Sequence, residues 1–377
     1  MPILIPYNQL SLEQQDIVRR VSRGDKNLYV EGPAGSGKTL ISLYALKNFV
    51  ESESGKILFL MYNYSLYGYL KTALTELDII NGLTIATKDK FFWDLAKFDN
   101  YYPPFELSYE AKYSSIMHHI LSTETEQEFD IIVVDEVQDI SSDEFEMIKR
   151  LGKKIITLGD FNQGIYKTDM SQEKMLTLGD HESLTTVFRY HIEIAKIAKN
   201  FSDRDLPSMV KTGNGVKPRL IDIPENQLFP EIAEILKNLA VRRKRVGVIS
   251  PDKDKLKMLN SYLNANAIEN VYYSENKDFR NHDFSTYTPL LLSSFSAKGL
   301  EFENVIVFGF NRYSSVINNL INKNLLKEII FVSITRCNSD LFILRTPDEV
   351  EQIKNLKAEE SNEAAELDLG DLLDDLF

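Results

Sequence analysis

Short apolar runs alternate along the chain with longer segments in which apolar residues recur at helical spacing. The apolar runs predict strands at residues 28–30, 57–61, 131–134, 155–158, 246–249, 290–293, 305–308 and 341–344. Four of these runs precede residue 160 and four follow residue 245. Such alternation is typical of a mostly parallel sheet with helices on both faces. The pattern therefore predicts two similar α/β units joined near residue 178.

Composition agrees with two folded domains. The chain has 377 residues, 43% of them hydrophobic and 26% charged, which is typical of a globular protein with a substantial core. The N-terminal segment MPILIPYNQL lacks the features of a secretory signal, and no run of about 18 apolar residues occurs. We therefore expect a cytoplasmic protein with no membrane association. The single cysteine, Cys337, and five scattered histidines give no disulfide and no zinc-site pattern.

The order of elements predicts a first domain over residues 1–177 and a second over 178–357. Residues of about 97–128 break the alternation and are predicted to form a small insertion in the first domain. Residues 358–377 contain eight acidic residues and no basic one, so we expect a disordered tail. Without these eight charges the net charge of −13 becomes −5, and the body is only mildly acidic.

The strongest chemical signal is the segment GPAGSGKT at residues 32–39, between a predicted strand and a predicted helix. It satisfies the phosphate-loop pattern, in which glycines let backbone N–H groups face phosphate oxygens at a helix N-terminus. Lys38 is then expected to hold the β- and γ-phosphates of ATP, and Thr39 to bind Mg²⁺. The predicted nucleotide-binding residues of this loop are Gly32, Pro33, Ala34, Gly35, Ser36, Gly37, Lys38 and Thr39.

A pair of acids follows the apolar run at 131–134. Ligands of α/β folds bind at the carboxyl ends of the strands, where Asp135 and Glu136 are expected. We interpret Asp135 as a residue that holds Mg²⁺ and Glu136 as the group that orients or deprotonates the attacking water. Paired acids after a strand are also common as helix caps, and the upstream phosphate loop favours catalysis.

The segment DEVQD at 135–139 is more specific than a general acid pair, and here the chain resembles the UvrD/Rep-type helicases of superfamily 1. Five further segments resemble motifs of that family in the family's order: LSLEQQDIV at 10–18, GDFNQGIY at 159–166, VFRY at 187–190, SFSAKGLEF at 294–302 and FVSITRCNSDLFIL at 331–344. With the phosphate loop, the motifs span residues 10–344. The resemblance implies two tandem RecA-like P-loop NTPase domains with parallel sheets and ATP bound between them.

The resemblance also implies roles around the nucleotide. Gln14 would read the edge of the adenine, Phe188 would stack on it, and Glu301 would lie at the nucleotide edge of the cleft. Gln163 would sense the γ-phosphate, and Arg189 and Arg336 would act as arginine fingers. These six roles rest on the motifs and not on composition or spacing.

Two guanidinium groups supplied across a cleft stabilise the charge of the transition state only when the cleft closes. ATP would then clamp the two domains together, and repeated closure would produce movement along a nucleic-acid strand. The resemblance implies an ATP-dependent translocase or helicase acting 3′ to 5′ on single-stranded DNA. Two alternatives stay open: a strand-stimulated ATPase switch that remodels a protein complex without unwinding, and a recruitment module in which the ATP site is only regulatory.

The expected nucleic-acid track is less well defined by the sequence. Its candidate residues are Asn63, Tyr64, Thr87 and Tyr166, placed by position in or near the family motifs. Tyr64 could equally pack on the sheet. Asp89 and Phe295 replace histidines common in the family, and both changes fall on the implied DNA face. The basic run at 242–245 is either a nucleic-acid contact or a solvated helix end.

The acidic tail ends in DLGDLLDDLF, which alternates acids with leucines and finishes in Phe377. It faintly resembles the tail of bacterial single-stranded DNA-binding proteins. Two interpretations remain: a docking segment for a protein partner, or one that competes with DNA, and a plain solubilising tail.

Overall fold

The computed structural model describes residues 4–23, 26–52, 55–62, 64–80, 83–161, 164, 168–273, 282 and 286–357. These residues form two six-stranded sheets, each covered by helices. We call the first sheet with its helices the first lobe and the second sheet with its helices the second lobe. The acidic tail, and the predictions made for it, lie outside the described residues.

The first sheet has the strand order β3-β2-β4-β5-β1-β6, and all pairings between these strands are parallel. Its strands are β1 (Leu28–Glu31), β2 (Ile57–Met61), β3 (Leu83–Thr87), β4 (Phe129–Val134), β5 (Gly152–Gly159) and β6 (Asp180–Ser183). Its helices are α1 (Leu12–Arg23), α2 (Lys38–Ser52), α3 (Tyr64–Glu76), α4 (Lys88–Phe98), α5 (Tyr109–Ser122), α6 (Ser142–Leu151) and α7 (Gln172–Leu176). The predicted insertion contains α5, which contacts α4 and α6.

The second sheet has the order β7-β12-β11-β8-β10-β9, again with parallel pairings. Its strands are β7 (Arg219–Asp222), β8 (Val246–Ser250), β9 (Val271–Tyr272), β10 (Leu290–Ser293), β11 (Phe302–Val307) and β12 (Cys337–Arg345). The helices of this half are α8 (Ile192–Ala198), α9 (Leu206–Met209), α10 (Leu228–Ala240), α11 (Lys253–Ala265), α12 (Ser315–Asn322), α13 (Leu326–Ile334) and α14 (Glu351–Lys354). The predicted fold class, two tandem RecA-like α/β domains with parallel sheets, is confirmed.

Strand β2 is apolar along its whole length because helices cover both faces of the sheet. In β2, Ile57, Phe59 and Met61 pack into one apolar cluster, while Leu58 and Leu60 pack into the cluster on the other face. All five residues are buried. The unbroken apolar runs seen in the sequence are therefore strands with two buried faces.

The chain passes between the lobes after β6. This strand lies beyond the predicted division after residue 177, yet it pairs with β1 and so belongs to the first sheet. Val187 and Tyr190 already pack in the core of the second lobe. Residues 184–191 connect β6 to the second lobe without a helix, and α8 begins at Ile192. The limits of the two domains stay a prediction.

Within the described ranges, no helix combines the length and the apolar character that crossing a bilayer requires.

A buried carboxyl group in the second lobe gives the fold a pH dependence. Glu349 is fully buried; its Oε1 accepts a hydrogen bond from Thr346 Oγ1 at 3.3 Å, and its Oε2 has no partner among the described residues. Burial raises the pKa of Glu349 from its ordinary value of 4.5 to about 7. Because the pKa is raised on folding, the associated stability is present below about pH 4.5 and is lost as the pH rises through about 7.

We predict that Glu349→Gln removes this pH dependence. At pH 8 the variant should exceed the wild type in free energy of unfolding by on the order of 3 kcal/mol, and near pH 4.5 the difference should vanish. Urea unfolding at several pH values measures both. Glu351→Gln, at a side chain that is 67% exposed, is the control and should change little. A Glu349→Gln effect of equal size at every pH would contradict the prediction.

Candidate functional site

The glycine loop joins the end of β1 to the start of α2, as the sequence predicts for a phosphate-binding turn. Gly35 and Gly37 have φ angles of 81° and 89°, in the left-handed region that side chains disfavour. A Cβ at Gly37 would also lie 2.5 Å from Gln14 Nε2, and one at Gly35 would lie 2.5 Å from Arg189 Cβ. The loop can therefore adopt this path only with glycine at these two positions.

Lys38 begins α2 and lies buried beneath the loop. Its Nζ donates hydrogen bonds to the carbonyl oxygens of Gly32 at 2.6 Å and Pro33 at 3.3 Å. Burial lowers the pKa of Lys38, while the carboxylates of Glu136 and Asp160 act in the opposite direction. The Lys38 amino group is thus held among the backbone groups of the loop, where a phosphate would lie.

Thr39 and Asp135 meet although they are far apart in sequence. The Thr39 Oγ1 donates a hydrogen bond to Asp135 Oδ2 at 2.8 Å, because β4 ends close to the first turn of α2. Burial raises the pKa of Asp135 to about 6, and the neighbouring Glu136 carboxylate acts in the same direction. A hydroxyl and a carboxylate are the hard oxygen donors that suit Mg²⁺, so these two residues fit the predicted ion.

Glu136 is held in an unusual conformation beside this pair. Its backbone lies in the left-handed region, with φ 56° and ψ 49°. Its Oε2 accepts a hydrogen bond from Gln138 Nε2 at 2.5 Å and lies 3.5 Å from Lys298 Nζ. Burial alone would raise the pKa of Glu136, but Lys298 and Lys38 outweigh it and lower the pKa to about 2. The carboxylate is therefore ionised and can accept a hydrogen bond from a water molecule.

Gln14 packs against the backbone of the loop. Its Oε1 accepts from the Ser11 N–H at 3.0 Å, its own N–H donates to Ser11 Oγ at 3.1 Å, and its Nε2 donates to Ser36 O at 2.9 Å. The Phe188 N–H donates to Gly35 O at 2.9 Å, which attaches the connecting segment to the loop. Gln14 and Phe188 therefore both flank the loop.

Arginines enter the site from the connecting segment and from the second lobe. Arg189 pairs with Glu301, with its Nε at 2.7 Å and its Nη2 at 2.6 Å from Oε1. Arg336 is buried, and its Nε donates to Val332 O at 3.0 Å. Burial and the nearby Arg189 lower the pKa of Arg336 to about 9. Two guanidinium groups thus converge on the loop that carries Lys38.

These elements enclose a cleft of about 320 Å³ between the two lobes. Twelve of the residues predicted from the sequence line it: Gln14, Ala34, Gly35, Gly37, Lys38, Thr39, Asp135, Glu136, Phe188, Arg189, Glu301 and Arg336. Six lining residues were not predicted: Ile5, Leu40, Leu66, Tyr69, Gly299 and Asn338. Gly299 and Asn338 lie inside motif segments, and Leu40 directly follows Thr39. Their positions in the sequence could therefore have indicated that they line the cleft.

Other predicted residues lie elsewhere. Gly32, Pro33 and Ser36 form part of the loop but do not line the cleft, and the buried Ser36 hydroxyl has no hydrogen-bond partner within the described part of the chain. Thr87, a candidate for nucleic-acid contact, is only 2% exposed. The structure therefore does not bring its side chain to the surface.

Three other predicted residues, Asn63, Gln163 and Tyr166, lie outside the described residues, and so does the side chain of Tyr64. The proposed γ-phosphate sensor and most of the proposed track therefore stay predictions.

A buried ion pair crosses between the lobes next to the cleft. Lys298 Nζ lies 2.5 Å from Asp139 Oδ2, and both side chains are at most 4% exposed. Burial raises the pKa of Asp139 to about 6, although Lys298 acts to lower it. This contact could not be predicted from the sequence, because the two residues meet only where the segment after β4 approaches the segment after β10.

A glycine loop and an acid pair that share one cleft are defining parts of P-loop nucleoside triphosphatases, and the first lobe carries both. In agreement, residues 14–169 match the family model described as an AAA domain. No curated protein matches the sequence.

The chain is similar to three solved helicase structures. The PRRSV helicase has 13% identity and a TM-score of 0.42, with 87% of this chain and 53% of that chain covered. The arterivirus nonstructural protein 10 helicase in complex with DNA has 13% identity and a TM-score of 0.41, with 88% and 62% covered. The C-terminal domain of a possible DNA helicase from Lactobacillus has 16% identity and a TM-score of 0.35, with 45% and 94% covered. This chain thus spans about half the length of the first of these proteins.

We predict that Lys298→Met destabilises the protein by about 3–5 kcal/mol at pH 8, because it leaves the Asp139 carboxylate buried without its partner. Asp139→Asn should lower the free energy of unfolding by less, because the Lys298 ammonium still has the Glu136 carboxylate as a partner at 3.5 Å. The double variant should recover part of the loss.

Urea unfolding of the two single variants and the double variant forms a double-mutant cycle. Lys26→Met is the matched control, because its pair with Asp180 is exposed and should contribute at most about 1 kcal/mol. Strictly additive effects of Lys298→Met and Asp139→Asn would show that the pair does not couple the lobes.

Proposed function

We propose that the protein is an ATP-dependent nucleic-acid translocase of the helicase kind, which hydrolyses ATP between its two lobes. The observation that carries the proposal is the single cleft lined by the phosphate loop, by the acid pair and by two arginines from the opposing side. A site completed by both lobes can link hydrolysis to their relative movement. The motif order resembling UvrD/Rep-type helicases favours this use of the cleft over a simple nucleotide-binding role.

The chain's own residues suggest how hydrolysis would proceed. Loop N–H groups and Lys38 would bind the phosphates, and Thr39 with Asp135 would hold Mg²⁺. The ion would neutralise charge on the phosphates and fix their geometry. Glu136, kept ionised by nearby lysines, would orient the attacking water and accept its proton.

Arg189 and Arg336 would stabilise charge that develops on the γ-phosphoryl group. Arg336 is anchored to the second lobe by its bond to Val332 O, so its distance from the loop depends on how the lobes are placed. Arg189 is linked to the same lobe through Glu301. Hydrolysis would therefore be fast only in the closed arrangement, which is the property that a motor requires.

We further propose single-stranded DNA as the substrate and 3′ to 5′ as the direction of movement. Support comes from the segments SAKGLEF and SITRC, which resemble the UvrD/Rep branch. A net body charge of −5 weakens the case for DNA binding but does not exclude it, because affinity depends on where the basic residues lie.

A second candidate is a strand-stimulated ATPase switch that remodels a protein partner without unwinding. Exposed aromatic side chains in the first lobe favour it: Phe98, Tyr102, Phe105 and Tyr109 are between 54% and 89% exposed. Large exposed apolar groups close together often mark protein contacts.

We predict that Glu136→Gln lowers kcat for ATP by a factor of about 10² to 10⁴ while ADP still binds, because the amide cannot accept the proton of water. Steady-state hydrolysis and isothermal titration with ADP measure the two effects. Glu146→Gln, at an exposed residue of α6, should behave like the wild type. A Glu136→Gln variant with unchanged kcat would remove the assigned role.

We predict that single-stranded DNA stimulates hydrolysis more than single-stranded RNA and that the protein unwinds a 3′-tailed duplex. ATPase rates with DNA, with RNA and with neither give the first comparison, and strand displacement gives the second. Lys38→Ala is the control without phosphate binding.

The outcomes separate the candidates. Unwinding of the 3′-tailed duplex supports the motor, and stimulation without unwinding supports the switch. Unwinding of only a 5′-tailed duplex would refute the direction. Equal rates with and without nucleic acid would refute both candidates.

A further inference from the structure

A tyrosine outside the recognised nucleotide-binding residues lies in the cleft. Helix α3 places Leu66 and Tyr69 on one face, three positions apart, and both line the cleft. Leu66 faces the second lobe, since a Cβ at Gly299 would lie 3.4 Å from its Cδ1. Leu70 and Leu74 pack into the core of the first lobe. The helix therefore presents Tyr69 to the boundary between the lobes.

The surroundings of Tyr69 are polar on the cleft side. Its ring packs partly against the core of the first lobe, and the charged groups that act on it most strongly are Glu301 and Arg189. Burial and the Glu301 carboxylate raise the pKa of Tyr69, so the phenol stays protonated. Among the described residues, no protein group makes a hydrogen bond to its hydroxyl. A hydroxyl in such a place is well suited to bond a ligand.

The position of Glu301 suggests which part of a nucleotide lies beside Tyr69. A carboxylate repels phosphate, so Glu301 must face a neutral part of ATP that can donate a hydrogen bond. The phosphates are expected at Lys38 and the base beside Gln14, and both residues line the same cleft as Tyr69 and Glu301. The sugar connects the phosphates to the base and carries hydroxyl groups that can donate to a carboxylate. Tyr69 and Glu301 therefore lie where the sugar is expected.

We propose that Tyr69 is a specificity-determining residue whose hydroxyl bonds a sugar hydroxyl of the bound nucleotide and so favours ribonucleotides over deoxyribonucleotides. This inference rests on the proposed ATP site and adds a residue to it. Tyr69 acts in binding and takes no part in the transfer of the γ-phosphoryl group.

The same helix offers a matched control. Tyr67 is also partly buried and packs against the same core, but it does not line the cleft. Removal of either hydroxyl by a Tyr→Phe substitution keeps the ring and its packing. Only Tyr69→Phe should therefore change nucleotide selectivity.

Isothermal titration with ADP, 2′-deoxy-ADP and 3′-deoxy-ADP in the presence of Mg²⁺ tests the proposal on the full chain. The wild type should bind ADP about fivefold more tightly than the analogue that lacks the bonded hydroxyl, as expected for one neutral hydrogen bond. Tyr69→Phe should bind ADP as weakly as the wild type binds that analogue, and its preference should disappear. Tyr67→Phe should keep the wild-type preference.

Two results would overturn the inference: equal affinities of the wild type for all three nucleotides, and a Tyr69→Phe variant that keeps the full preference. The assay needs neither hydrolysis nor a nucleic-acid strand. The two proposals can fail separately. If nucleic acid does not stimulate hydrolysis but Tyr69→Phe still loses the preference between nucleotides, the proposed motor function is refuted and the role of Tyr69 is supported. Failure of the wild type to bind ADP would refute the nucleotide site and the inference together.

Discussion

Electrostatic neutralisation across the cleft is the constraint on which the rest of the structure depends. On the first-lobe side, Lys38 lies near the carboxylates of Glu136, Asp160 and Asp135, and Asp139 lies in the segment after β4. The second lobe supplies cations, above all Lys298 and Arg336, both at most 4% exposed. Buried charges are tolerated only when they are compensated. The carboxylates of the first lobe and the cations of the second lobe therefore compensate each other, and this compensation favours contact between the two lobes.

The sequence predicted the central strands well and missed the outer ones. All eight predicted strands are present, and the four that were missed, β3, β6, β7 and β9, are the edge strands of the two sheets. The burial pattern of β6 and β7 shows why, since each has exposed residues at both ends. A strand with only one neighbour and partial cover needs no long apolar run. Hydrophobicity alone cannot separate such a strand from a loop.

The candidate site likewise contains residues that could be predicted from the sequence and residues that could not. Residues within a contiguous motif, such as Lys38 and Asp135, could be located from the sequence because their chemistry depends on local geometry. Tyr69 and Ile5 could not, because they reach the cleft only through the packing of α3 and of the N-terminal segment. Thr87 was placed by its resemblance to a family motif; its side chain is buried at the end of β3, and its contact with nucleic acid stays a prediction.

The backbone of Glu136 has a consequence for how this protein can change over generations. A left-handed conformation at a residue with a side chain costs on the order of 1 kcal/mol or more, which glycine would not incur. Selection for folding stability alone would thus favour replacing Glu136 by glycine. The resulting protein would be more stable but would lack the carboxylate proposed to act in hydrolysis. An acid is therefore retained at this position at a cost in stability. Related proteins that no longer hydrolyse ATP should lose this side chain early in their divergence.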